Sequence, residues 1–544
     1  MITIRVRAAA VRASVLAALA AAIVPGSVRA QEDTRARADS LVRAGDAAAR
    51  DSRPRAAIEA YERVIALNPD RRLSLLPALG RQYLWSDDAR AAARLFVEYL
   101  AAHPGSCETR LDLALAWSWA DELDAARATY DEVARGCLYE RGQARLGAAR
   151  ALRWGNHLSE AERRYHEVLA DGSDADREQA AIGLAYVRLA RAEPRAALAL
   201  ADSLVASGSR DPSLTEARVM ALADLGALGS AVESARTARM EGRGSASLDR
   251  LAHGYEERAR ASFAAGVRGF RDRDGTSYRA ADVASAAAPL GFGSVRVTAR
   301  AAELRGTDVT LESREAEMSL DLRPARALAI AARGGMRAYD LDDFTPWEGE
   351  LNVAWLPGDR HRVDLSAARL LVGDNLAAIQ ERLTGTFASA GLTERLTARL
   401  SAAVSGDVTR WSAGNSRVRL RATPRLALEG VPVVTIEWPT IYQHYDAPFD
   451  FQLFSPPSYV ETGPALSVYR RVARVWYLSA YARGGALRET DREWQALGIA
   501  RASVEREVRA HWGVRVEGAW SNSNLAGSAG FQRTMLGASL TIRP

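Results

Sequence analysis

The chain has 544 residues, 48% of them hydrophobic, which is enough to bury more than one core, so we expect two or more domains. Its formal net charge of +5 is the balance of 72 basic and 67 acidic residues, and every basic residue is an arginine. Because the two signs are interspersed without a concentrated basic tract, the composition excludes nucleic acid as the expected partner.

Residues 1–30 have the pattern of a secretory signal peptide. Three arginines precede an apolar run from Ala13 to Val24, and a small-residue pattern ending at Ala30 predicts cleavage before Gln31. After that site no uninterrupted apolar run reaches the roughly 18 residues that a membrane helix needs. Any passage through a membrane must therefore use β-strands, because lipid leaves only helices and closed barrels as spanning structures.

Residues 31–243 are rich in alanine and leucine and repeat with a fixed period. Trp85, Trp119 and Trp154 mark the repeat at intervals of 34 and 35 residues, and each precedes a polar turn and an alanine-rich helix. A period near 34 residues built from two helices is typical of tetratricopeptide repeats, which stack into an α-solenoid with a curved groove. We predict about six repeats, and we interpret the tryptophans as packing residues between helices. The alternative is that they stack on a sugar or another ligand in the groove.

The two cysteines lie at matching places in one repeat. Cys107 begins the first helix of the third repeat, and Cys137 ends the second helix. Antiparallel helices bring these two ends together, and a secreted protein occupies a compartment that permits disulfides. We therefore hypothesise that Cys107 and Cys137 form a disulfide; two buried free thiols are the alternative.

Residues 244–261 have the composition of a linker, and residues 262–544 alternate with period two in short runs separated by turns. This pattern predicts an antiparallel transmembrane β-barrel of about sixteen strands, with a soluble sandwich or propeller as the alternative. The alternation predicts that one set of arginines faces the lumen, where they would bind polar or acidic sugars or pair with lumenal carboxylates. This set comprises Arg296, Arg300, Arg417, Arg419, Arg421, Arg509 and Arg515.

The longest predicted connection within the barrel is residues 438–459. It contains four prolines, so a central strand is not expected there, and we predict an aromatic loop that either plugs the pore or stacks on sugar rings. The aromatic residues assigned to this loop are Tyr442, Tyr445, Phe449, Phe451 and Phe454.

The combination of repeats that carry tryptophan before the turn and a barrel of this size resembles a known family. The dipeptides Leu84-Trp85, Ser118-Trp119 and Arg153-Trp154 are similar to those of YaiO-type outer-membrane proteins with tetratricopeptide repeats. More distantly, the chain is similar to the export porins for cellulose and poly-N-acetylglucosamine. The resemblance implies a location in the bacterial outer membrane with the repeats in the periplasm. It also implies export of an exopolysaccharide, with the repeat groove binding periplasmic proteins or the emerging polymer.

The sequence contains no pattern that indicates an enzyme, a metal site or a cofactor site. The seven histidines are scattered, and there is no H-x-x-x-H pair, G-x-S-x-G elbow, phosphate-binding loop or C-x-x-C motif. Three classes of function remain as expectations. The first is a conduit for a polysaccharide or another polar polymer, the second is a periplasmic adaptor or anchor with a plugged barrel, and the third is an enzyme built around His444 or His511.

Overall fold

The computed structural model describes residues 32–290, 292–341, 344–451, 453–472, 475–508, 511–523 and 532–543. The predicted signal peptide lies outside these described residues. The chain divides into two compact units, one of residues up to 155 with 159–180, and the other of residues 156–158 with 181 onward. This division falls within the helical region, whereas the sequence pattern places its boundary in the predicted linker at residues 244–261.

The first half of the described chain consists of antiparallel helix pairs. Within the described residues, no helix combines the length and the apolarity that crossing a membrane requires. The helices are α1 (residues 32–50), α2 (Pro54–Leu67), α3 (Arg72–Trp85), α4 (Ala89–Ala102), α5 (Cys107–Trp119), α6 (Leu123–Gly136), α7 (Arg141–Trp154), α8 (Leu158–Asp171), α9 (Asp174–Ala190), α10 (Pro194–Ala206), α11 (Pro212–Asp224), α12 (Leu228–Met240) and α13 (Ala246–Arg258).

A left-handed backbone residue recurs in the turn between the two helices of each repeat. A positive φ of this kind is most easily adopted by glycine, asparagine and aspartate, and it reverses the chain in few residues. The turn residues are Ser52, Asp87, Asp121, Asn156, Ala192 and Gly226, with φ between 54° and 77°. Their spacing of 34 to 36 residues gives the repeat period a physical cause.

Aromatic residues on the second helix of a pair pack against glycines on a neighbouring first helix. Tyr61 and Phe96 are 2% and 0% exposed. An added Cβ would lie 2.6 Å from the ring of Tyr61 at Gly45, and 2.5 Å from the ring of Phe96 at Gly80. Only glycine lets the helices approach this closely at these two positions.

Trp85 and Trp154 differ from the prediction that the tryptophans pack between helices, whereas Trp119 packs against the buried cluster that includes Leu84 and Phe96. Trp85, Trp119 and Trp154 are the last residues of α3, α5 and α7. Trp85 is 63% exposed and contacts the edge of Trp119, with 5.5 Å between ring centroids, and Trp154 is 39% exposed. At the end of a helix the side chain reaches past the packed surface, so the aromatic residues on the second helices fill the inter-helix positions instead.

Cys107 and Cys137 form a disulfide in the structure. Cys107 is the first residue of α5, and Cys137 directly follows the last residue of α6, with 5.9 Å between the two Cα atoms. The bond therefore joins the open ends of one helix hairpin. It lies beside a buried cluster that includes Tyr130 and Val133.

The second half of the described chain is a closed antiparallel sheet, which confirms the predicted fold class. β1 pairs with β18 as well as with β2, so the sheet has no free edge. The strands are β1 (Ser262–Asp272), β2 (Ser277–Leu290), β3 (Gly293–Arg305), β4 (Thr310–Ala325), β5 (Leu328–Tyr339), β6 (Trp347–Trp355), β7 (His361–Leu371), β8 (Thr384–Arg395), β9 (Leu400–Trp411), β10 (Ser416–Leu428), β11 (Val433–Glu437), β12 (Thr440–Tyr445), β13 (Tyr459–Thr462), β14 (Ala465–Val472), β15 (Trp476–Glu489), β16 (Gln495–Val508), β17 (Trp512–Ser521) and β18 (Arg533–Ile542).

These eighteen described segments occupy sixteen positions in the barrel wall. β11 and β12 both pair with β10 and follow one another along it, with Pro439 at the break between them. β13 and β14 both pair with β15 in the same way, with Pro464 at their break. Proline cannot donate to a ladder hydrogen bond, so each of these two wall strands is interrupted there. The predicted count of about sixteen strands is confirmed.

The predicted aromatic loop is shorter than the sequence pattern indicates. Residues 440–445 form β12, so Tyr442 and Tyr445 lie in the wall, and the connection contains only residues 446–458. The prolines did not exclude a strand, because Pro439 falls at the break between two segments and the others follow the last strand residue. Tyr442 lies on the outer face, 38% exposed, and is not part of a plug.

The two ends of the barrel are distinct. The end that carries the β1–β2 and β7–β8 connections is called the distal end, and the opposite end, where β1 begins, is called the near end. Outward-facing tryptophans lie at both ends, with Trp347 and Trp494 distal and Trp355 and Trp512 near, each about half exposed. Aromatic residues in these places are typical of the two interfaces of an outer-membrane barrel.

Helix α10 is attached to the near end of the barrel within the second unit. The Asp359 carboxylate accepts hydrogen bonds from the backbone N–H groups of Arg195 at 3.1 Å and Ala196 at 2.9 Å, at the N-terminus of α10. The Arg195 guanidinium donates to the carbonyl oxygens of Leu356 and Arg326, both at 2.6 Å. A carboxylate at a helix N-terminus is favourable because unpaired N–H groups and the positive end of the dipole lie there.

We expect the disulfide to stabilise the first unit. Cys107→Ser with Cys137→Ser should lower its free energy of unfolding by about 2 to 4 kcal/mol, because the reduced chain gains entropy when unfolded. Alkylation of the unreduced, denatured wild-type protein should give no adduct in mass spectrometry. Two alkylated thiols would contradict the bond.

We also expect Gly80→Ala to destabilise the same unit by about 1 to 3 kcal/mol, because the new methyl group meets the fully buried ring of Phe96. Gly136→Ala is the matched control, since an added Cβ at Gly136 meets nothing within 4 Å. Thermal denaturation followed by circular dichroism measures both. Equal melting temperatures for the two variants would contradict the close approach.

Candidate functional site in the barrel lumen

Many charged residues lie on the inward face of the barrel. Side chains alternate between the two faces of a strand, and residues directly opposite one another in a ladder share a face. Arg417, Arg419 and Arg421 pair with Thr409, Asp407 and Ser405 of β9, and all of these point into the lumen. Arg296, Arg300 and Arg515 lie on the same inward face of their strands, whereas Arg509 lies outside the described residues.

Several of the predicted arginines are paired with lumenal carboxylates. Arg300 donates to Asp282 at 2.7 Å and to Glu315 at 2.8 Å. Arg417 and Arg419 share Asp407, at 2.9 and 2.8 Å. Arg515 pairs with Glu517 at 3.0 Å, and Arg296 donates to the hydroxyl of Ser285 at 3.3 Å; the residues named here are all inward-facing. For Arg300, Arg417, Arg419 and Arg515 the structure has the charge pairing that the sequence left open as an alternative, whereas the partner of Arg296 is a hydroxyl group.

Three inward-facing glutamates lie close enough together to resemble a metal site. The carboxylates of Glu315, Glu317 and Glu348 lie within 4.8 Å of one another. Arg337 contacts Glu315 at 2.9 Å and Glu348 at 3.4 Å, and Arg333 lies 3.8 Å from Glu317. These glutamates therefore belong to a ladder of ion pairs that crosses the strands, and their negative charge is balanced by arginine.

Arg421 and Arg501 stand apart from this pairing. Among the described residues, neither guanidinium has a hydrogen-bonding or ion-pair partner, and both side chains are exposed to the lumen. Both border a cavity of about 470 Å³ between β10, β15 and β16. Arg501 lies over the ring of Tyr481, with 5.8 Å from its guanidinium carbon to the ring centroid. The cavity therefore presents two uncompensated cations and an aromatic face.

The wall of this cavity is held by a buried network around Glu461. The Glu461 carboxylate accepts from Arg483 at 2.7 Å, from the hydroxyl of Tyr459 at 2.8 Å and from Ser523 at 2.6 Å. Arg483 also donates to the carbonyl oxygen of Pro439 at 2.8 Å. The side chains of Arg483 and Glu461 are 3% and 2% exposed. This pair was not among the residues predicted for the lumen, although Arg483 belongs to the alternating run 476–483 and has the parity of an inward-facing residue.

A segment between β7 and β8 enters the distal end of the lumen. Residues 372–383 contain the short helix α14 (Leu376–Gln380), whose Ile379 is fully buried. Ile379 belongs to a cluster with Phe270, Leu304 and Tyr339 of the surrounding wall. Asn375 accepts a hydrogen bond from the N–H of Ala378 at 2.9 Å and begins the helix. We call residues 372–383 the distal plug.

The aromatic connection 446–458 lies beside the distal plug. Phe449 and Phe451 pack with Tyr445 and with Ala378 of the plug in one cluster, while Phe454 packs with Tyr459 in another. Three of the five residues assigned to an aromatic plug, Tyr445, Phe449 and Phe451, therefore pack in one cluster with the distal plug. In the sequence, Gly373-Asp374-Asn375 has only the composition of an ordinary turn, so it gives no sign that residues 372–383 enter the lumen.

Removing the Glu461 carboxylate should destabilise the barrel more than removing an exposed one. Glu461→Ala leaves the buried Arg483 without its charge partner, which typically costs about 3 to 5 kcal/mol. Glu517→Ala is the matched control, because Glu517 and Arg515 are 54% and 50% exposed and such pairs contribute about 1 kcal/mol or less. The measurement is the temperature at which the folded band disappears in heat-modifiability electrophoresis. Equal temperatures for both variants would contradict the network.

No protein-family model matches the chain, and no curated protein matches it. Similar solved structures include one described as a bacterial polysaccharide outer membrane secretin, with 14% identity, coverage of 53% of this chain and 99% of that chain, and a TM-score of 0.43. A tetratricopeptide repeat protein from Parabacteroides merdae has 16% identity, coverage of 41% and 88%, and a TM-score of 0.32. OccK3 (OpdO) of Pseudomonas aeruginosa has 11% identity, coverage of 52% and 95%, and a TM-score of 0.31.

Proposed function

We propose that the barrel is an outer-membrane conduit for a polar polymer, with the helical repeats in the periplasm. The observation that carries the proposal is the pair of uncompensated guanidinium groups, Arg421 and Arg501, beside the lumenal cavity. Most other charges of the lumen are neutralised within the wall, so these two are available to a passing molecule.

The chemistry of the cavity suits an exopolysaccharide. A guanidinium group offers several N–H donors in one plane, which matches sugar hydroxyls and, in two-point contacts, carboxylates. The ring of Tyr481 adds an apolar face of the kind on which a sugar ring can stack. The resemblance to YaiO-type proteins and to the polysaccharide export porins agrees with this assignment. The repeat groove would bind periplasmic proteins or the polymer before it enters the barrel.

The distal plug sets the condition for transport. Its buried contacts with the wall close the distal end, so a polymer would pass only after residues 372–383 move. The same packing favours a second candidate function, in which the plugged barrel anchors the repeat scaffold and conducts nothing. The conduit and the anchor predict different conductance after the distal plug is removed.

We expect planar-bilayer recordings to separate them. Wild-type protein should show low conductance, and deletion of residues 373–382 should raise it severalfold, because the deletion removes the helix that fills the distal lumen. Deletion of residues 491–493 is the matched control, since these residues of another distal connection are exposed. No conductance after removal of the plug would overturn the conduit and support the anchor.

In the plug-deleted background, Arg421→Glu with Arg501→Glu should shift ion preference from anions towards cations, because two free positive charges become negative. The reversal potential in a KCl gradient measures the shift. Arg410→Glu with Arg488→Glu alters two arginines of the outer face and should leave the reversal potential unchanged. A current that an acidic oligosaccharide blocks in wild-type lumen but not in the Arg421/Arg501 variant would support polymer binding. An unchanged block would count against it.

A further inference from the structure

The outer face of the barrel carries a cationic groove at the distal ends of β1 to β3. Arg271 and Arg305 lie on the outer face, each directly opposite Ser277 in its ladder, so they flank that residue from the two neighbouring strands. Arg273 follows in the β1–β2 hairpin, and Arg279 lies on the outer face of β2. These four arginines border one open groove of about 760 Å³, together with Trp520 of β17. We call it the arginine groove.

The four arginines lack partners of their own. Within the part of the chain that the structure describes, none of their side chains forms a hydrogen bond or an ion pair. The inward-facing Arg533 next to them contacts Asp272 at 2.8 Å and Asp374 at 2.6 Å. On the outer face, Glu303 is opposite Arg279 in the ladder, which leaves Arg271, Arg273 and Arg305 without a facing carboxylate. Unpaired like charges repel one another, so an anionic ligand would be attracted here.

An apolar depression continues from the arginine groove along the outer face. Its volume is about 1090 Å³, and it shares Gly269, Arg279 and Leu536 with the arginine groove. Alanine and valine line much of it, at Ala281, Ala301, Ala338, Ala538, Val267 and Val516, and Glu303, Glu312, Arg314 and Asp340 border it. The alanine and valine side chains leave room on a surface where the neighbouring β4 and β5 present Met318 and Met336. A cationic groove that continues into an apolar depression is complementary to a lipid with an anionic headgroup and an acyl chain.

We infer that this surface binds a phosphorylated glycolipid, with its phosphates in the arginine groove and an acyl chain in the apolar depression. Two strand spacings separate Arg271 from Arg305, about 10 Å. A single phosphate would not contact both sides of the groove, whereas two phosphates joined by a disaccharide would. Arginine binds phosphate through paired charge-assisted hydrogen bonds. Trp520 lies where interfacial tryptophans lie in outer-membrane barrels. The choice of a glycolipid rests on the proposed function. If the helices attached to the near end lie in the periplasm, the distal end lies in the outer leaflet.

The test uses the full chain, refolded in detergent and titrated with bis-phosphorylated lipid A, with bound lipid counted by native mass spectrometry. Wild-type protein should retain the lipid, and Arg271→Ala with Arg305→Ala should weaken its retention about tenfold, a loss of about 1.4 kcal/mol in binding free energy. The matched control is Arg470→Ala with Arg506→Ala, which removes the same charge from the outer face nearer the other end. The control should retain the lipid as wild type does.

The comparison of lipids decides the source of the phosphate. Dephosphorylated lipid A should not be retained, and phosphatidylglycerol, with one phosphate, should be retained more weakly than bis-phosphorylated lipid A. Equal retention of the dephosphorylated lipid, or equal weakening in the control variant, would overturn the site. Equal retention of phosphatidylglycerol would overturn the assignment to a glycolipid.

Heat-modifiability electrophoresis verifies that each variant is folded, and a second variant, Arg271→Gln with Arg305→Gln, keeps the inference testable if the alanine variant does not fold. Conductance depends on the lumen, whereas lipid retention depends on the outer face. A variant protein that does not retain the lipid therefore leaves the conduit proposal unaffected.

Discussion

The closing ladder between β1 and β18 is the constraint on which the barrel depends. It joins ten consecutive residue pairs, from Phe263 opposite Ile542 to Asp272 opposite Arg533. Without it, two strand edges would carry unpaired backbone groups into lipid, which cannot satisfy them. At the distal end of the seam, Arg533 pairs with Asp272 and Asp374, and its guanidinium carbon lies 3.6 Å from the ring centroid of Phe270. One arginine therefore joins the first strand, the last strand and the distal plug.

Charge in the lumen follows a simple arrangement. Arginines and carboxylates on adjacent strands neutralise each other, so the interior can be strongly charged without a large net field. Where a pair is buried, as at Arg483 and Glu461, substitution of one partner leaves the other charge uncompensated and destabilises the barrel. Arg421 and Arg501 are exposed and uncompensated, and both border the same lumenal cavity, and for that reason they define the candidate site. The same contrast separates the inward Arg533 from the unpaired arginines of the outer face.

Much of this architecture could be predicted from periodicity, because repeat period and strand alternation are local properties of the chain. The shared face of Arg417, Arg419 and Arg421 followed from alternation alone. Which of them is free did not, because the answer depends on Asp407 across the ladder, and strand register is not local. The distal plug was missed because its apolar helix is only five residues long and follows an ordinary turn signal. The exposed position of Trp85 was missed because a conspicuous residue marks a repeat equally well whether it is buried or not.

Some of the hydrogen bonds that attach α10 to the barrel are made to the same hairpin that carries the distal plug. Asp359, which binds the N-terminus of α10, lies two residues before β7, and Arg395, the last residue of β8, donates to the carbonyl oxygen of Arg191 at 2.7 Å, just before α10. β7 and β8 are also the two strands that carry the distal plug between them. The same hairpin is therefore bonded to α10 and Arg191 at one end and carries the segment that packs inside the lumen at the other. β7 and β8 therefore link α10 directly to the distal plug, so a displacement of α10 is transmitted to the plug along these two strands without involving the rest of the wall.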